Sequence, residues 1–403
     1  MVPVVSVDEY RAEIRSLLGT APAVALPLLD CAGLVLAEDV LAGVSLPPFD
    51  NSAMDGYAVR AADVAGASAD SPVELPVGED IPAGRIDVPD LPPGTAHRIM
   101  TGAPLPPGAD SVVMVERTDG GVERVRVFEP VAPGTHLRRV GEDVAKGTVA
   151  LTAGTVLGPA QLGLASAVGL AELNVYRPLR VLVVSTGTEL VVPPQPLEHG
   201  QIYESNSITL AAGIRALGCE VETAISTDDV GLFRDAIEPR VGEFDLVVTS
   251  GGVSAGAYEV VKDALTGLGV TFKKVAMQPG GPQGNGRWNG VPVVTLPGNP
   301  VSVLVSFEVF LRPALLAALG HRDIDRHRVR ARLTEGLKSP SGRRQFRRGY
   351  YWQREGQVTG EVGPRGGPGS HLLAAFTQAN CLIVLPEDVT EAPEGTEVDV
   401  LLL

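Results

Sequence analysis

Three loops in the middle of the chain combine residue types that could bind and activate a negatively charged ligand. They read Ser185-Thr-Gly-Thr-Glu-Leu190, Ser250-Gly-Gly-Val-Ser-Ala-Gly256 and Leu296-Pro-Gly-Asn-Pro-Val-Ser302. Their glycines permit close approach of backbone N–H groups to a ligand, and glycine loops that open a helix attract phosphate and other anions. Each loop taken alone is also compatible with an ordinary strand exit or a capped helix start. Together they predict an anion-binding site.

The middle loop also matches a different catalytic motif. Gly252-Val-Ser254-Ala-Gly256 has the G-x-S-x-G spacing of a hydrolase nucleophile elbow, which lies between a strand and a helix. A serine hydrolase needs a later histidine, and His321, His327 and His371 follow Ser254. The first two lie in an Arg-rich stretch, and the sequence lacks a His-Gly-Gly segment for an oxyanion hole. The sequence therefore favours Ser254 as a phosphate-loop hydroxyl, with a serine hydrolase as the alternative.

Polar groups also concentrate in loops outside the centre. Asp228-Asp229 precedes a predicted helix, where capping alone explains both residues. Segments 47–57, 99–104 and 140–144 place polar groups in Gly/Pro-rich backbone, which functional loops and ordinary turns share. Gly342-Arg-Arg-Gln-Phe-Arg-Arg-Gly349 carries four arginines, so it indicates either an anion site or a solvated basic edge strand.

The elements around the central loops indicate an α/β domain. Val181–Val184, Val221–Ile225 and Leu246–Thr249 are short apolar runs typical of buried parallel strands. Helical segments are predicted between and after them, over 207–217, 229–240, 258–268 and 301–319. Strand–helix alternation predicts an open doubly wound sheet, with ligands beyond the carboxyl ends of its strands.

The helical and β-type sequence patterns outside the central region predict a multidomain chain. Ser6 and Glu9 have capping-box spacing before a helix, which we pair with a second helical stretch from Gly158 to Leu173. The predicted division is a helical and linker domain (1–46 with 147–177), a β-rich inserted domain (47–146), a doubly wound α/β domain (178–325) and a small, barrel-like β domain (326–403).

Composition excludes several classes of protein. Of 403 residues, 44% are hydrophobic and 20% charged, which is enough apolar material for a folded chain of more than one domain. A net charge of −15 disfavours nucleic acid and anionic membranes as partners. Three distant cysteines indicate neither a disulfide framework nor a zinc site, and the N-terminus lacks a signal-peptide pattern. No stretch predicts a membrane span, so we expect a cytoplasmic protein.

Taken in order, the motifs resemble the molybdopterin molybdenumtransferase family, which includes MoeA and the E domain of gephyrin. The resemblance spans nearly the whole chain. It depends on the ordered set Asp50-Asn-Ser-Ala-Met-Asp-Gly-Tyr57, Met100-Thr-Gly-Ala-Pro104, Gly141-Glu-Asp143, Ser185-Thr-Gly187, Ser250-Gly-Gly-Val-Ser254, Leu296-Pro-Gly-Asn-Pro300 and Gly369-Ser-His371.

The resemblance implies a homodimer whose active site lies between the α/β domain of one subunit and the β-rich insertion of the other. It implies that adenylylated molybdopterin and molybdate react to give molybdenum cofactor and AMP, with Mg²⁺ required. It also suggests the molybdopterin adenylyltransferase as a protein partner.

Matching positions give the candidate site residues. The implied catalytic acids are Asp55, Asp143, Glu189, Asp228 and Glu259. The implied substrate-binding residues are Thr101, Ser185, Gly187, Gly251, Gly252, Ser254, Lys274, Pro297, Gly298, Asn299, Arg348 and Ser370.

Acids around an anionic substrate need a cation, and Mg²⁺ takes carboxylate, water and phosphate oxygens together. We therefore expect Glu189, Asp228 and Glu259 to hold Mg²⁺ on the pyrophosphate. Asp55 and Asp143 of the other subunit would position molybdate or act as general acids as oxo groups leave as water.

The remaining negative charge would be stabilised by the N–H groups of Gly251, Gly252 and Gly298 together with Lys274.

The chain departs from the family pattern at five positions. Thr188 stands where Asp is common, Ala257 precedes Tyr-Glu in place of Asp-Tyr-Asp, and Gln278 and Gly281 replace two lysines. These losses keep a second hypothesis open, a reduced-activity or non-catalytic molybdopterin-binding scaffold.

Overall fold

The computed structural model describes residues 4–252 and 260–403. The chain divides into two compact units. The first consists of Met1–Val24, Gly33–Ala37 and Asn174–Leu403, and the second of Ala25–Ala32 and Glu38–Leu173.

A seven-stranded sheet forms the centre of the first unit. Its strands are β1 (Val4–Val5), β2 (Arg180–Thr186), β3 (Glu220–Ser226), β4 (Leu246–Ser250), β5 (Val270–Val275), β6 (Pro282–Trp288) and β7 (Val291–Leu296). Their spatial order is β1-β5-β6-β7-β4-β2-β3. Strands β3, β2, β4 and β7 are mutually parallel, and β6 is antiparallel to both of its neighbours. The predicted parallel strands are thus confirmed, with an antiparallel extension.

Helices cover both faces of this sheet. They are α1 (Val7–Leu18), α2 (Asn206–Arg215), α3 (Val230–Ile237), α4 (Val260–Leu265), α5 (Pro300–Ser306) and α6 (Arg312–Ala318). Alternate residues of β2 point to opposite faces of the sheet. Val181 and Val183 pack in the hydrophobic cluster that includes residues of α1, α2, α5 and α6. Leu182 and Val184 pack in the cluster that includes residues of α3 and α4. This is the doubly wound α/β architecture that the sequence predicts.

A π-helical turn, Phe307–Leu311, joins α5 to α6. Within residues 4–252 and 260–403, the combined stretch Pro300–Ala318 is the one helix long and apolar enough to cross a membrane. However, 78% of its most apolar window is buried inside the protein. Burial in the core accounts for its composition.

The first helix and the Gly158–Leu173 stretch, which we pair in the sequence analysis, fall in different compact units. Helix α1 begins at the predicted Ser6–Glu9 capping box, but it packs against α6 and the π-helical turn in the first unit. Its Tyr10 is fully buried, stacks edge-to-face on Phe310 and donates a hydrogen bond to the carbonyl oxygen of Gly284 at 3.0 Å. The other helix, Pro159–Ala167, belongs to the second unit. The long apolar α5–α6 stretch therefore offers α1 its partner surface.

The C-terminal part of the first unit is a six-stranded sheet, five strands of which close into a barrel. Its strands are Met277–Gln278, Arg344–Trp352, Gly360–Pro364, Arg328–Leu333, Glu397–Leu402 and Cys381–Leu385 in spatial order. The last of these pairs again with Arg344–Trp352, which closes the barrel. The predicted barrel-like terminal domain is confirmed, and it recruits one short strand from before residue 326.

The second unit is built on a five-stranded sheet. The strands are Ser111–Met114, Gly56–Val59, Ala96–Ile99, Val73–Ile81 and Arg124–Val127 in spatial order. Short strands Asn51–Ser52 and Leu137–Arg138 pair antiparallel in this unit. Their pairing brings the predicted polar loops 47–57 and 140–144 together. The third predicted polar loop, 99–104, lies beside the other two, because Asn51 also forms a β-bridge with Pro104.

Candidate functional site

A pocket of about 630 Å³ lies at the carboxyl edge of the central sheet in the first unit. The loops that follow β2, β4 and β7 line it, together with segment 202–206 and His371 from the barrel. Seven of the candidate site residues are part of this lining, namely Gly187, Glu189, Asp228, Gly251, Gly252, Gly298 and Asn299. The three loops that the sequence singles out therefore meet at one place.

The sheet register explains why the loops meet. Ser185 pairs with Ser250, and Ser250 pairs with Leu296, so β2, β4 and β7 end at the same level. The N–H group of Gly251 donates to the carbonyl oxygen of Leu296 at 3.1 Å. This N–H group is therefore engaged within the scaffold, which disfavours it as the predicted donor to a ligand. The N–H groups of Gly252 and Gly298 have no partner among the described residues.

Gly251 allows two of the loops to pack closely. Its φ of +95° is in the left-handed region, and a Cβ there would lie 2.7 Å from the carbonyl oxygen of Thr186. A Cβ on Gly298 would in turn lie 3.4 Å from the Cα of Gly251. The pocket floor is thus formed by backbone in contact with backbone, which leaves no room for a side chain at Gly251.

Three carboxylates line the pocket, and two of them, Glu189 and Asp228, are not buried. The Oδ2 atom of Asp228 accepts hydrogen bonds from the N–H group of Thr188 at 3.0 Å and from its hydroxyl at 3.1 Å. Thr188, where an acid is common in the family, therefore orients Asp228 instead of repelling it. The Glu189 carboxylate folds over Gly187, since a Cβ there would lie 2.6 Å from Oε2.

The donor set fits Mg²⁺ in the manner that this ion usually adopts with phosphates. Mg²⁺ commonly takes one or two protein carboxylates and completes its shell with water and substrate oxygens. Among the described residues no group of three metal-ligating side chains is present. Glu189 and Asp228 can supply the one or two carboxylates of the usual Mg²⁺ arrangement. The third predicted ligand, Glu259, lies outside the described residues.

Glu204 is a buried acid that the sequence reasoning missed. It is 6% exposed and lines the pocket. Its carboxylate accepts from the hydroxyl of Ser185 at 2.7 Å, from the N–H group of Ser207 at 2.7 Å and from the Ser207 hydroxyl. An acid three residues before Ser207, at the start of α2, is the sequence signal that could have revealed it.

Ser185 and Pro297 are not part of the pocket lining. Ser185 is 1% exposed and donates its hydroxyl proton to Glu204, which disfavours its predicted direct contact with substrate. Pro297 is buried behind the loop that carries Gly298.

Lys274 lies at the same edge of the sheet but away from the pocket. It is exposed near the end of β5 and pairs with Pro282. The register of β6 with β7 places this pair at the level of Pro297, two strands from β7. Strand spacing makes that separation about 10 Å.

Arg348 and Ser370 act through the barrel loop that leads to His371. The buried Arg348 donates to the carbonyl oxygens of Gly367 and Gly369, the latter at 3.1 Å. Burial, together with the neighbouring Arg347, lowers the pKa of Arg348 below its ordinary value. The carbonyl oxygen of Ser370 accepts from the N–H group of Val301 at 3.0 Å. These contacts attach the loop to the start of α5.

The arginine cluster of the terminal barrel therefore matches neither interpretation of the sequence fully. Arg344 makes a bidentate pair with Asp8 of α1, both distances being 2.8 Å, and a second pair with Glu387. Arg344 joins the barrel to α1, and Arg348 organises a loop. The side chain of Gln278 accepts from that of Gln345 at 3.0 Å, so it too is engaged within the barrel.

In the second unit, Asp55 and Thr101 form a close pair. The Asp55 Oδ1 atom accepts from the N–H group of Thr101 at 2.6 Å and from its hydroxyl at 2.8 Å. These two bonds, the backbone one first, hold the pKa of Asp55 below its ordinary value. Asp143 is exposed in a neighbouring loop, where its N–H group donates to the carbonyl oxygen of Leu46 at 3.0 Å.

Ser254, Ala257 and Glu259 lie outside the described residues. The serine hydrolase alternative, which depends on Ser254, gains no support.

Family models match three stretches of the chain. The MoeA N-terminal region (domain I and II) matches residues 5–169, a probable molybdopterin binding domain matches 182–317, and the MoeA C-terminal region (domain IV) matches 330–403.

Individual proteins are similar over nearly the whole chain. Molybdopterin molybdenumtransferase 2 of Mycobacterium tuberculosis is 54% identical over 98% of both chains, and molybdopterin molybdenumtransferase 1 of that organism is 38% identical over 99% of both. A crystal structure of the molybdopterin biosynthesis MoeA protein from Pyrococcus horikoshii is 35% identical over 99% of both chains, with a TM-score of 0.86.

Proposed function

Because the chain belongs to the molybdopterin molybdenumtransferase family and is an enzyme of molybdenum cofactor biosynthesis, we propose that its sheet-edge pocket binds adenylylated molybdopterin and that molybdate enters the pterin there as AMP is released. The observation that carries this proposal is the convergence of three glycine loops and the carboxylates of Glu189, Glu204 and Asp228 on one pocket. That combination suits a phosphoanhydride better than a neutral ligand.

The pocket can bind the anionic part of such a substrate through backbone groups. The N–H groups of Gly252 and Gly298 line it without a partner among the described residues. N–H donors that are already fixed in position stabilise developing charge without reorganising. These two groups are our candidates for the contacts to the departing phosphate.

Glu189 and Asp228 would repel a pyrophosphate unless a cation lay between them. We therefore assign these two residues to the binding of Mg²⁺. When bound, the ion would neutralise pyrophosphate oxygens and polarise the phosphorus–oxygen bond that breaks. Thr188 orients Asp228 by donating two hydrogen bonds to it.

Asp55 and Asp143 would complete the site from the second subunit of a homodimer. Two hydrogen bonds from Thr101 stabilise the charged form of Asp55. A carboxyl group held ionised is a poor general acid near neutral pH. Of the two roles predicted for Asp55, the positioning of molybdate through hydrogen bonds is therefore better supported.

The direct test is to measure both products of the reaction. Purified protein is given adenylylated molybdopterin and molybdate, with and without Mg²⁺, and AMP and active cofactor are quantified. We expect both to appear in equal amounts and only with the cation. AMP without cofactor would contradict coupled insertion, and tight pterin binding without turnover would favour the scaffold hypothesis.

Adjacent residues provide a matched pair of variants. Asp228→Asn should abolish most turnover because it removes a carboxylate from the pocket. Asp229→Ala removes the N-cap of α3, which accepts from the N–H group of Leu232 at 2.8 Å. It should cost about 0.5–2 kcal/mol of stability and leave turnover in place.

Mixing two inactive variants tests whether the site is shared between subunits. Asp55→Ala and Glu189→Gln are each expected to be inactive alone. After subunit exchange, random pairing in a two-fold dimer restores about one quarter of the sites if each site takes Asp55 and Glu189 from different chains. No recovery in a verified mixed dimer would place both residues of a site in one chain.

A further inference from the structure

Glu204 is a buried carboxylate in the wall of the pocket, and its hydrogen bonds reach two strand ends. None of the ion pairs of the described residues includes it, although burying a carboxylate is unfavourable unless it is well bonded. Three donors compensate this charge, one from Ser185 and two from Ser207. Such an arrangement makes the position of the donors depend on the charge of Glu204.

The direction of the hydrogen bonds can be assigned along this chain of groups. Ser185 has a single hydroxyl proton, which it donates to Glu204. The Ser185 and Ser250 hydroxyl oxygens are 3.1 Å apart, so Ser250 must donate to Ser185. The carboxylate of Glu204 thereby orders hydroxyl groups at the ends of both β2 and β4.

The third loop is held from the same short segment. Asn206, two residues after Glu204, donates its side-chain N–H to the carbonyl oxygen of Gly298 at 2.8 Å. Segment 204–207 is therefore bonded directly to Ser185 at the end of β2 and to Gly298 in the loop after β7. Through Ser185 it is also linked to Ser250 at the end of β4.

We propose that Glu204 is a positioning residue for the reaction: its charge sets the spacing of the three loops, so that the Gly252 and Gly298 N–H groups meet the same phosphate. This inference rests on the proposed function. Misplacement of donors by a fraction of an ångström to 1 Å lowers rates by up to about a hundredfold. The loss should fall on kcat more than on KM, because phosphate contacts strengthen as AMP departs.

The test compares Glu204→Gln with Glu308→Gln. Glu308 is also a largely buried acid, but it pairs with Arg326 away from the pocket. Both substitutions remove a buried charge, so both should lower the unfolding midpoint. We expect a drop in kcat of about tenfold or more for Glu204→Gln alone, with a smaller change in KM.

Ser185→Ala is the second variant, because it breaks the same bond without changing the charge. It should reduce kcat severalfold, and the double variant Glu204→Gln/Ser185→Ala should be no slower than Glu204→Gln. If Glu204→Gln does not fold, a normal kcat in Ser185→Ala overturns the proposal by itself.

Wild-type turnover is measured in the same assay. Absence of turnover in the wild type refutes the proposed function. Normal wild-type turnover together with equal kcat in Glu204→Gln and Glu308→Gln refutes the positioning role alone.

Discussion

Replacement of Gly251 by alanine should damage the pocket through two separable effects. The left-handed conformation at φ +95° costs a residue with a Cβ about 1–2 kcal/mol. The new Cβ would also lie 2.7 Å from the Thr186 carbonyl oxygen and 2.9 Å from its Oγ1. Ordinary contacts begin near 3.5 Å, so the two loops must separate by roughly 0.5–1 Å. Overpacking of this kind typically costs about 1–3 kcal/mol more, which gives a total of about 2–5 kcal/mol.

Gly267→Ala separates the two effects. Gly267 has φ +82°, and no atom lies within 4 Å of a Cβ placed there. It should therefore show the conformational cost alone, about 1–2 kcal/mol, with normal turnover. The free energy of unfolding can be measured in urea from the fluorescence of Trp288, which is buried against Phe233.

AMP formation is assayed on the same samples, and Gly251→Ala should lose about tenfold or more in kcat/KM. Equal unfolding free energies and equal turnover for the two variants would refute the close-packing argument.

Three further outcomes are expected. Arg348→Lys should lower the free energy of unfolding by about 1–3 kcal/mol in urea titration, because an ammonium group cannot satisfy the buried loop carbonyls that the guanidinium reaches; an unchanged value would contradict that role. Thr101→Val removes one of two donors that lower the pKa of Asp55, so the acid limb of the pH–rate profile should move to higher pH, and a fixed limb would show that Asp55 does not titrate there. The hydrogen bond from Arg344 holds the pKa of Asp8 below its ordinary value, so the Asp8 contribution to stability is present above about pH 4 and is lost as pH falls through the folded-state pKa. Asp8→Asn should therefore cost up to about 1 kcal/mol at pH 7, because the pair is partly exposed, and less at pH 3 in urea unfolding.

Much of the site could be predicted from local sequence. A buried parallel strand is a short apolar run, and a glycine-rich turn must follow where the backbone packs closely. Three such strand–turn units were therefore recognisable at Ser185, Ser250 and Leu296 before their register was known. The edge at which they meet follows from the rule that ligands bind beyond the carboxyl ends of parallel strands.

Sequence reasoning failed where a residue's role depends on distant partners. Ser185 was expected to touch substrate, yet its proton is committed to Glu204, nineteen residues away. Arg348 was expected to bind an anion, yet it bonds loop carbonyls, and the packing of α1 against α6 was not foreseen. Neither propensity nor motif spacing shows which way a hydroxyl donates or which helix covers an apolar face.

The sequence by itself determined the strand runs, the glycine turns and the acids that border them, because these depend on backbone conformation and on local alternation of apolar residues. The tertiary structure decided which polar groups of the pocket are exposed and which are buried and already hydrogen-bonded. Burial and hydrogen-bond direction are set by groups far apart in the chain, and they separate the exposed Glu189 and the half-buried Asp228 from the buried Glu204.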